Sequence, residues 1–389
     1  MDTVRIGIVG VGNIGSAHLR WIAGHPEGGL AAAALCDIDP GKRERLTQEY
    51  PHLPVFADSR EMMDSGRIDA ILVSTPHGCH PPIAVQAFRR GLHVLIEKPA
   101  GVDTRRVREM NEEARKSGRV FGIMFNQRTH PLYAKAREIV QGGLLGQPKR
   151  LVWIVTNWYR TQAYYDSGGW RATWNGEGGG VLLNQAPHNL DLWQWIFGMP
   201  KRIYAFCSVG KYHRIAVEDD VTIQAEYESG ASATFITSTG ETPGSNRLEI
   251  SGDRGKLVLE EEKLRWWRLA QPEREFCFSA AQGFVEPDTA YEEVSLPAED
   301  GHPLILQNFA DAIRRGTPLI APGEEGIRSL SLSNAAYLSA WTHDWADIPV
   351  DEEKFAWYFK EKCEQETRKT AQGGETLYGG YQPRWSVRW

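Results

Sequence analysis

Two patterns of apolar residues divide this chain. Over the first 125 residues, short apolar runs recur at residues 4–9, 30–36, 54–57, 69–74, 93–96 and 120–125, separated by helix-compatible stretches. Short apolar runs bounded by turn formers read as buried strands. Helices are predicted at residues 13–24, from residue 40, up to Arg90 with Gly91 as its C-cap, and at 102–116. Repeated strand–helix alternation predicts an α/β domain with a parallel, doubly wound (Rossmann) sheet.

The pattern changes after residues 131–143. Strand-like runs then follow one another at residues 150–156, 201–209, 221–227, 231–237, 247–251 and 255–260, joined by Gly, Pro and Asp turns. Strands that follow strands predict a mostly antiparallel sheet, and hence an α+β domain. Two helices, at residues 304–315 and 323–341, are expected to pack on or near that sheet. The expected organisation is one domain over residues 1–128, a second over 129–350, and a C-terminal extension over 351–389. The extension carries Lys354-Phe355-Ala356-Trp357-Tyr358-Phe359, too apolar for an idle linker, and is expected to pack on a domain or a neighbouring subunit.

The first strand feeds straight into Gly10-Val11-Gly12-Asn13-Ile14-Gly15, the spacing G-x-G-x-x-G. Gly10 permits the tight turn, Gly12 lets the backbone approach a pyrophosphate, and Gly15 lets the next helix pack on the sheet. The amides at Asn13 and Ile14 open that helix, where an anion is favoured. The second strand ends in Asp37, 22 residues past Gly15, the position of an acid that accepts from an adenosine ribose. Asp37 with Asp39 favours NAD over NADP, although Arg43 is the kind of residue a 2′-phosphate wants.

Composition narrows the class. The net charge of −6 argues against a general nucleic-acid binder. Five scattered cysteines give no zinc spacing and fit a reducing, cytoplasmic compartment. With the first strand so near the start no leader peptide is expected, and no apolar run is long enough to span a membrane. Six of the 14 tryptophans (Trp153, Trp158, Trp170, Trp174, Trp193, Trp195) fall between residues 151 and 197, where they fill a core or line a sugar pocket.

Candidate chemistry gathers at carboxyl ends of strands, where a doubly wound sheet opens its ligand crevice. Ser74-Thr75-Pro76-His77-Gly78-Cys79-His80 follows one strand and Glu97-Lys98-Pro99 the next, with Pro99 a candidate cis-proline fixing the direction of Lys98. A second cluster starts at Gly178-Gly179-Gly180 and runs through Asn184, Gln185, Pro187, His188 and Asp191. Asn184, His188 and Asp191 stand at i, i+4 and i+7, one face of a helix, provided that the helix bends or begins near Pro187.

In this order, these motifs resemble the glucose–fructose oxidoreductase / inositol dehydrogenase / MocA (Gfo/Idh/MocA) family over residues 4–345. The resemblance implies a Rossmann domain, a second domain with a large, open, mostly antiparallel sheet that mediates dimers or tetramers, and an NAD(P)-dependent alcohol–ketone oxidoreductase of sugars or inositols. It implies that Lys98 and His188 form the catalytic pair, with Asn184 beside them, and that Trp170-Arg171 lies near the cofactor. Arg128, Asn157, Tyr159, Arg160 and Tyr165 are candidates to hold substrate hydroxyls by their place near the motifs. The chain departs from many members at Asn184, where they carry Asp; an amide orients a hydroxyl but accepts no proton. Asp191 is a candidate substitute. Neither metal nor nucleic-acid partner is expected. A glycoside-cleaving enzyme that uses NAD transiently and a non-catalytic cofactor-binding regulator are the alternatives.

Overall fold

The computed structural model describes residues 3–366. These fall into two compact units: residues up to Thr129 with Asp300–Leu330, and His130–Glu299 with the chain from Ser331 onward.

The first unit runs β1 (Val4–Val9), α1 (Asn13–Gly24), β2 (Leu30–Cys36), α2 (Pro40–Glu49), β3 (Val55–Phe56), α3 (Ser59–Asp64), β4 (Ala70–Val73), α4 (His80–Arg89), β5 (His93–Ile96), α5 (Thr104–Ser117) and β6 (Phe121–Ile123). The strands form one six-stranded sheet in the order β3-β2-β1-β4-β5-β6, with every pair parallel. Residues 70–73 are wholly buried, as an inner parallel strand covered on both faces requires. The order reverses between β1 and β4, the topological switch point at which such sheets bind ligands. Aspartates start the helices: Asp39, Asp58 and Asp103 each accept first-turn amides of the helix that follows.

The second unit contains α6 (Pro131–Gln141), β7 (Pro148–Val155), α7 (Gln162–Asp166), α8 (Pro187–Phe197), β8 (Arg202–Val209), β9 (Glu218–Glu226), β10 (Ser232–Ser238), β11 (Asn246–Gly252), β12 (Gly255–Glu260), β13 (Lys263–Leu269), α9 (Glu273–Ser279) and β14 (Thr289–Val294). Then come α10 (Gly301–Arg315), α11 (Gly326–Thr342), β15 (Ala346–Asp347) and α12 (Glu352–Gln365). Nine strands form one sheet, β14-β13-β12-β11-β7-β10-β9-β8-β15, antiparallel except where β10 meets β7. One face buries Trp153 and Phe235 beneath α6 and α8, with Tyr133 at 5.9 Å from Trp153 and Trp193 stacked at 5.7 Å on Phe235.

Two expectations change. Helix α10 packs in the first unit, against β1, β2 and residues 126–129, and not on the antiparallel sheet. Its buried face, Ile305, Leu306, Phe309 and Ala310, suits either sheet, so periodicity alone did not choose. Among the clustered tryptophans, Trp153, Trp158, Trp174 and Trp193 are core residues, while Trp170 and Trp195 are half-buried. Helix α12 packs within the second unit, where Phe355 stacks on Trp341 and Phe359 meets Trp174. The rest of the extension lies outside the described residues. No described helix is long and apolar enough to cross a membrane.

Candidate functional site

The glycine turn answers a geometric question residue by residue. Gly10 has φ +85°, and a Cβ on Gly15 would sit 2.1 Å from the Gly10 carbonyl oxygen, so packing alone demands both glycines. A Cβ on Gly12 would meet no atom within 4 Å. Nothing among the described residues requires glycine there, and the open backbone leaves room for a ligand to approach closely. Helix α1 starts at this point with no side chain capping its first amides, a donor set suited to a pyrophosphate. Asp37 is 7% exposed; its Oδ2 accepts the Val11 amide at 2.9 Å, and its Oδ1 accepts the Asp39 amide at 3.0 Å. The strand-two acid is thereby locked against the glycine turn. Asp39 itself caps α2, and the Arg43 guanidinium donates to the Asp37 and Ile38 carbonyls.

The loops after β4 and β5 divide into braces and presented groups. Ser74 donates through Oγ to the Gly10 carbonyl at 2.7 Å, which ties β4 to the glycine turn. His80 is fully buried between the Pro99 and Thr75 carbonyls, each 2.8 Å from a ring nitrogen. Burial pushes that imidazole down, and the two carbonyls pull the other way. Both residues are braces. Thr75 keeps a buried Oγ1 with no hydrogen-bond partner among the described residues. His77 is buried beside His80, their ring centroids 6.2 Å apart.

Glu97 lies at the end of β5, 6% exposed, and its Oε1 is 2.7 Å from Nε2 of His18 on α1. Its Oε2 accepts the Lys98 amide at 3.1 Å. Burial raises this carboxyl, but the His18 contact, with the fields of His302 and Lys98, outweighs it and holds the group well below the usual range. The carboxylate therefore fastens the backbone of Lys98 to the dinucleotide helix. The Lys98–Pro99 peptide is cis. Arg128 is 3% exposed and pairs with Glu325 at 2.5 Å, which commits it to the fold and leaves the substrate role expected of it without support.

In the second unit α8 begins at Pro187, so His188 stands in its first turn and the proline costs no helical bond. Asn184 precedes the helix and does not share its face, contrary to the expected spacing. Asp191 is buried and accepts from Gln194 at 2.9 Å. Two carboxylates not singled out in the sequence organise this region. Glu218 is 1% exposed and accepts the Gly180 amide at 2.9 Å, the Leu182 amide at 3.0 Å and the Tyr337 hydroxyl at 2.8 Å. A Cβ on Gly179 would lie 2.1 Å from that hydroxyl, and one on Gly180 would lie 1.9 Å from the Glu218 carbonyl, so the glycine run is required by this clamp. Glu177, also 1% exposed, accepts the Ala172 amide at 2.7 Å on Oε2 and the Asn184 Nδ2 on Oε1.

The other candidates vary. Arg171 lies over both Trp170 and Tyr164 at 4.7 Å and donates to the Tyr164 hydroxyl at 2.9 Å. Tyr165 is buried and shares a 2.7 Å hydrogen bond with Thr239, so its hydroxyl is spent internally. Arg160 donates to the Trp158 and Tyr159 carbonyls. Tyr159 is exposed and Asn157 half-buried. Of the two missed carboxylates, Glu177 stands directly before Gly178, and an acid at the head of a glycine run was the signal by which it could have been found.

Residues 4–125 match the oxidoreductase family with an NAD-binding Rossmann fold, and residues 133–258 match the GFO/IDH/MocA C-terminal domain. Inositol 2-dehydrogenase of Rhizobium meliloti is 24% identical over 87% of this chain and 97% of its own length. Myo-inositol 2-dehydrogenase of Thermotoga maritima is 25% identical over 86% of this chain and 95% of its own. Among solved structures, the WlbA dehydrogenase of Chromobacterium violaceum, in complex with NADH and UDP-GlcNAcA, superposes with a TM-score of 0.77 at 25% identity, over 90% of this chain and 97% of that one. The turn at Gly12, the strand-two Asp37, Glu97-Lys98-Pro99 and the glycine run ahead of His188 thus lie within matched sequence, and the chain belongs to the Gfo/Idh/MocA family of NAD-binding oxidoreductases.

Proposed function

We propose that this chain is an NAD-dependent dehydrogenase that oxidises a secondary ring hydroxyl of a sugar, glycoside or inositol. The observation that carries the reading is the pairing, on one turn, of the open backbone at Gly12 with the Asp37 carboxylate held by the Val11 amide. Gly12 and the first amides of α1 hold the pyrophosphate, and Asp37 accepts from the ribose hydroxyls. Preference for NAD over NADP rests on three points. Asp37 repels a 2′-phosphate, Arg43 is engaged by backbone carbonyls, and Ile38, 88% exposed, offers an apolar surface to the adenine. The nicotinamide, when bound, supplies the hydride acceptor.

The protein's own groups do the proton work. Lys98 hydrogen-bonds the reacting oxygen and stabilises its developing negative charge, and His188 takes the hydroxyl proton. The substrate class follows the relatives: two are named for inositol oxidation, and the WlbA structure holds a nucleotide-linked sugar acid. The sheet of the second unit is the expected surface for dimers or tetramers. The test follows NADH and NADPH formation with a panel of inositols, free sugars, glycosides and nucleotide-linked sugars, for the wild type, Lys98→Ala and His188→Ala. Turnover with NAD that falls at least 100-fold in both variants supports the reading. A wild type inert on the whole panel, or variants with unchanged turnover, refutes it.

A further inference from the structure

Position 184 carries an amide, yet a carboxylate lies against it. Glu177 is buried, and its two oxygens have separate work: Oε2 takes the Ala172 amide and Oε1 takes Nδ2 of Asn184. Arg171 stands 3.9 Å from Oε1, with Tyr164 bridging Arg171 and Gln185. All of these lie in the second unit. Because Nδ2 is drawn to Glu177, the Asn184 carbonyl oxygen is turned away from it. An amide that donates to a carboxylate also becomes a stronger acceptor at its oxygen, as hydrogen bonds in series polarise one another.

We propose that Glu177 is a positioning residue that acts through Asn184, fixing its amide so that the site presents an acceptor oxygen backed by a buried negative charge. The inference rests on the reading that Asn184 and His188 serve the reacting end of the substrate. In effect the charge that a carboxylate at position 184 would supply has moved one residue outward, to 177. The backbone explains why it fits there. Ala172 sits at φ +51°, an uncommon conformation for a residue with a Cβ, and its amide is bonded to the same carboxylate, so Glu177 also fixes the chain leaving Trp170 and Arg171.

The donors and acceptors permit a swap. A glutamine side chain at position 177 has one acceptor oxygen for two donors, so Glu177→Gln must abandon either Ala172 or Asn184. Asn184→Asp sets two carboxylates face to face, and like charges in one site cannot both ionise freely. The double variant restores both hydrogen bonds and moves the negative charge to position 184: the new amide at position 177 accepts from Ala172 through its oxygen and donates to the new carboxylate at position 184 through its nitrogen. Charged or titratable groups facing the pair are Arg171 and Tyr164, with Arg160 over the Tyr164 ring at 5.1 Å.

The experiment compares wild type, E177Q, N184D and E177Q/N184D in kcat, KM and thermal melting at pH 5 and pH 8. Each single variant is expected to lose about 10- to 100-fold in kcat, the range of one unmatched buried hydrogen-bonding group, with a smaller change in KM. N184D is expected to melt closer to wild type at pH 5 than at pH 8, because a proton relieves the paired carboxylates at low pH. In the double variant kcat returns to within about 5-fold of wild type and the pH dependence of melting returns to that of wild type, the compensation that coupled contacting groups show. Losses that merely add in the double variant overturn the proposal, as does E177Q with wild-type kcat. A wild type inert on every alcohol refutes the dehydrogenase reading itself, an outcome distinct from an active wild type with additive losses.

Discussion

Removing the His18 ring tests how the Lys98 loop is held. His18 is 2% exposed and Glu97 6%, at 2.7 Å, and the His302 ring lies 5.7 Å from that of His18. His18→Ala deletes the side chain that answers Glu97 Oε1 and leaves a buried carboxylate without its main partner. Breaking one side of a buried pair costs about 3–5 kcal/mol, because the surviving group keeps its desolvation penalty. Roughly 2–4 °C are lost per kcal/mol in a domain of this size. The first unit should therefore melt about 6–20 °C lower.

The pH dependence supplies the sign. In the wild type the Glu97 carboxyl is held low, so its contribution is present above the unfolded carboxyl range and is lost as pH falls through the folded value. Without His18 the largest opposing contact is gone, burial outweighs the fields of His302 and Lys98 and raises that carboxyl; the group is then best tolerated neutral, and stability is lost as pH rises. The deficit of His18→Ala must grow from pH 5 to pH 8. Calorimetry of the full chain with and without NAD checks this, since a ligand of the native first unit marks its transition by raising it. His18→Gln, which keeps a donor without the ring, should recover part of the loss. A transition within 2 °C of wild type that ignores pH would refute the proposed clamp.

Two further outcomes follow from contacts already described. Gly12→Ala should leave melting unchanged within about 0.5 kcal/mol, since its Cβ meets nothing, yet abolish NADH binding measured by fluorescence; Gly15→Ala, whose Cβ strikes the Gly10 carbonyl, should unfold the turn and lower melting. Glu218 differs from Glu97 in sign: burial pushes its carboxyl up to about 7 against the donors from Leu182, Tyr337 and Gly180. A raised carboxyl stabilises most below its unfolded range, so the second unit should lose about 3 kcal/mol as pH rises from 4.5 to 7, and Glu218→Gln should flatten that slope in urea titrations.

What the sequence made legible was whatever has a local cause. Three glycines with a strand before and a helix after specify a turn whose geometry is nearly self-contained, so β1, α1 and β2 were read with their bounds intact. Pro187 forced a helix to bend or begin there, and α8 begins there. Strand β13 escaped because its alternation is carried by Arg, Trp and Lys, and β14 because Thr289–Val294 is almost entirely exposed. Helix α10 was placed on the wrong sheet for a non-local reason: an amphipathic face specifies that it is buried, not against what. The same limit applied to Arg128, which read as a ligand for a hydroxyl until Glu325, remote in sequence, appeared beside it.

Three buried acids share a logic that composition hides. Glu97 holds the Lys98 amide, Glu177 holds Asn184, and Glu218 holds the Gly180 and Leu182 amides ahead of His188. Each is 6% exposed or less, and an isolated acid in a sequence is by default assigned to the surface. Burying a carboxylate costs more than an apolar side chain of the same volume would, so these acids are poor explanations of stability. Each instead spends its acceptors on the backbone or amide next to a group proposed to act on substrate. An apolar residue at 218 would strand the Gly180 and Leu182 amides and the Tyr337 hydroxyl, so Glu218→Leu should lower melting and turnover together. If position rather than stability retains the acid, Glu218→Gln, which keeps an acceptor oxygen for part of that donor set, should cost turnover far more than melting; a variant that loses both in proportion would return Glu218 to the ordinary core.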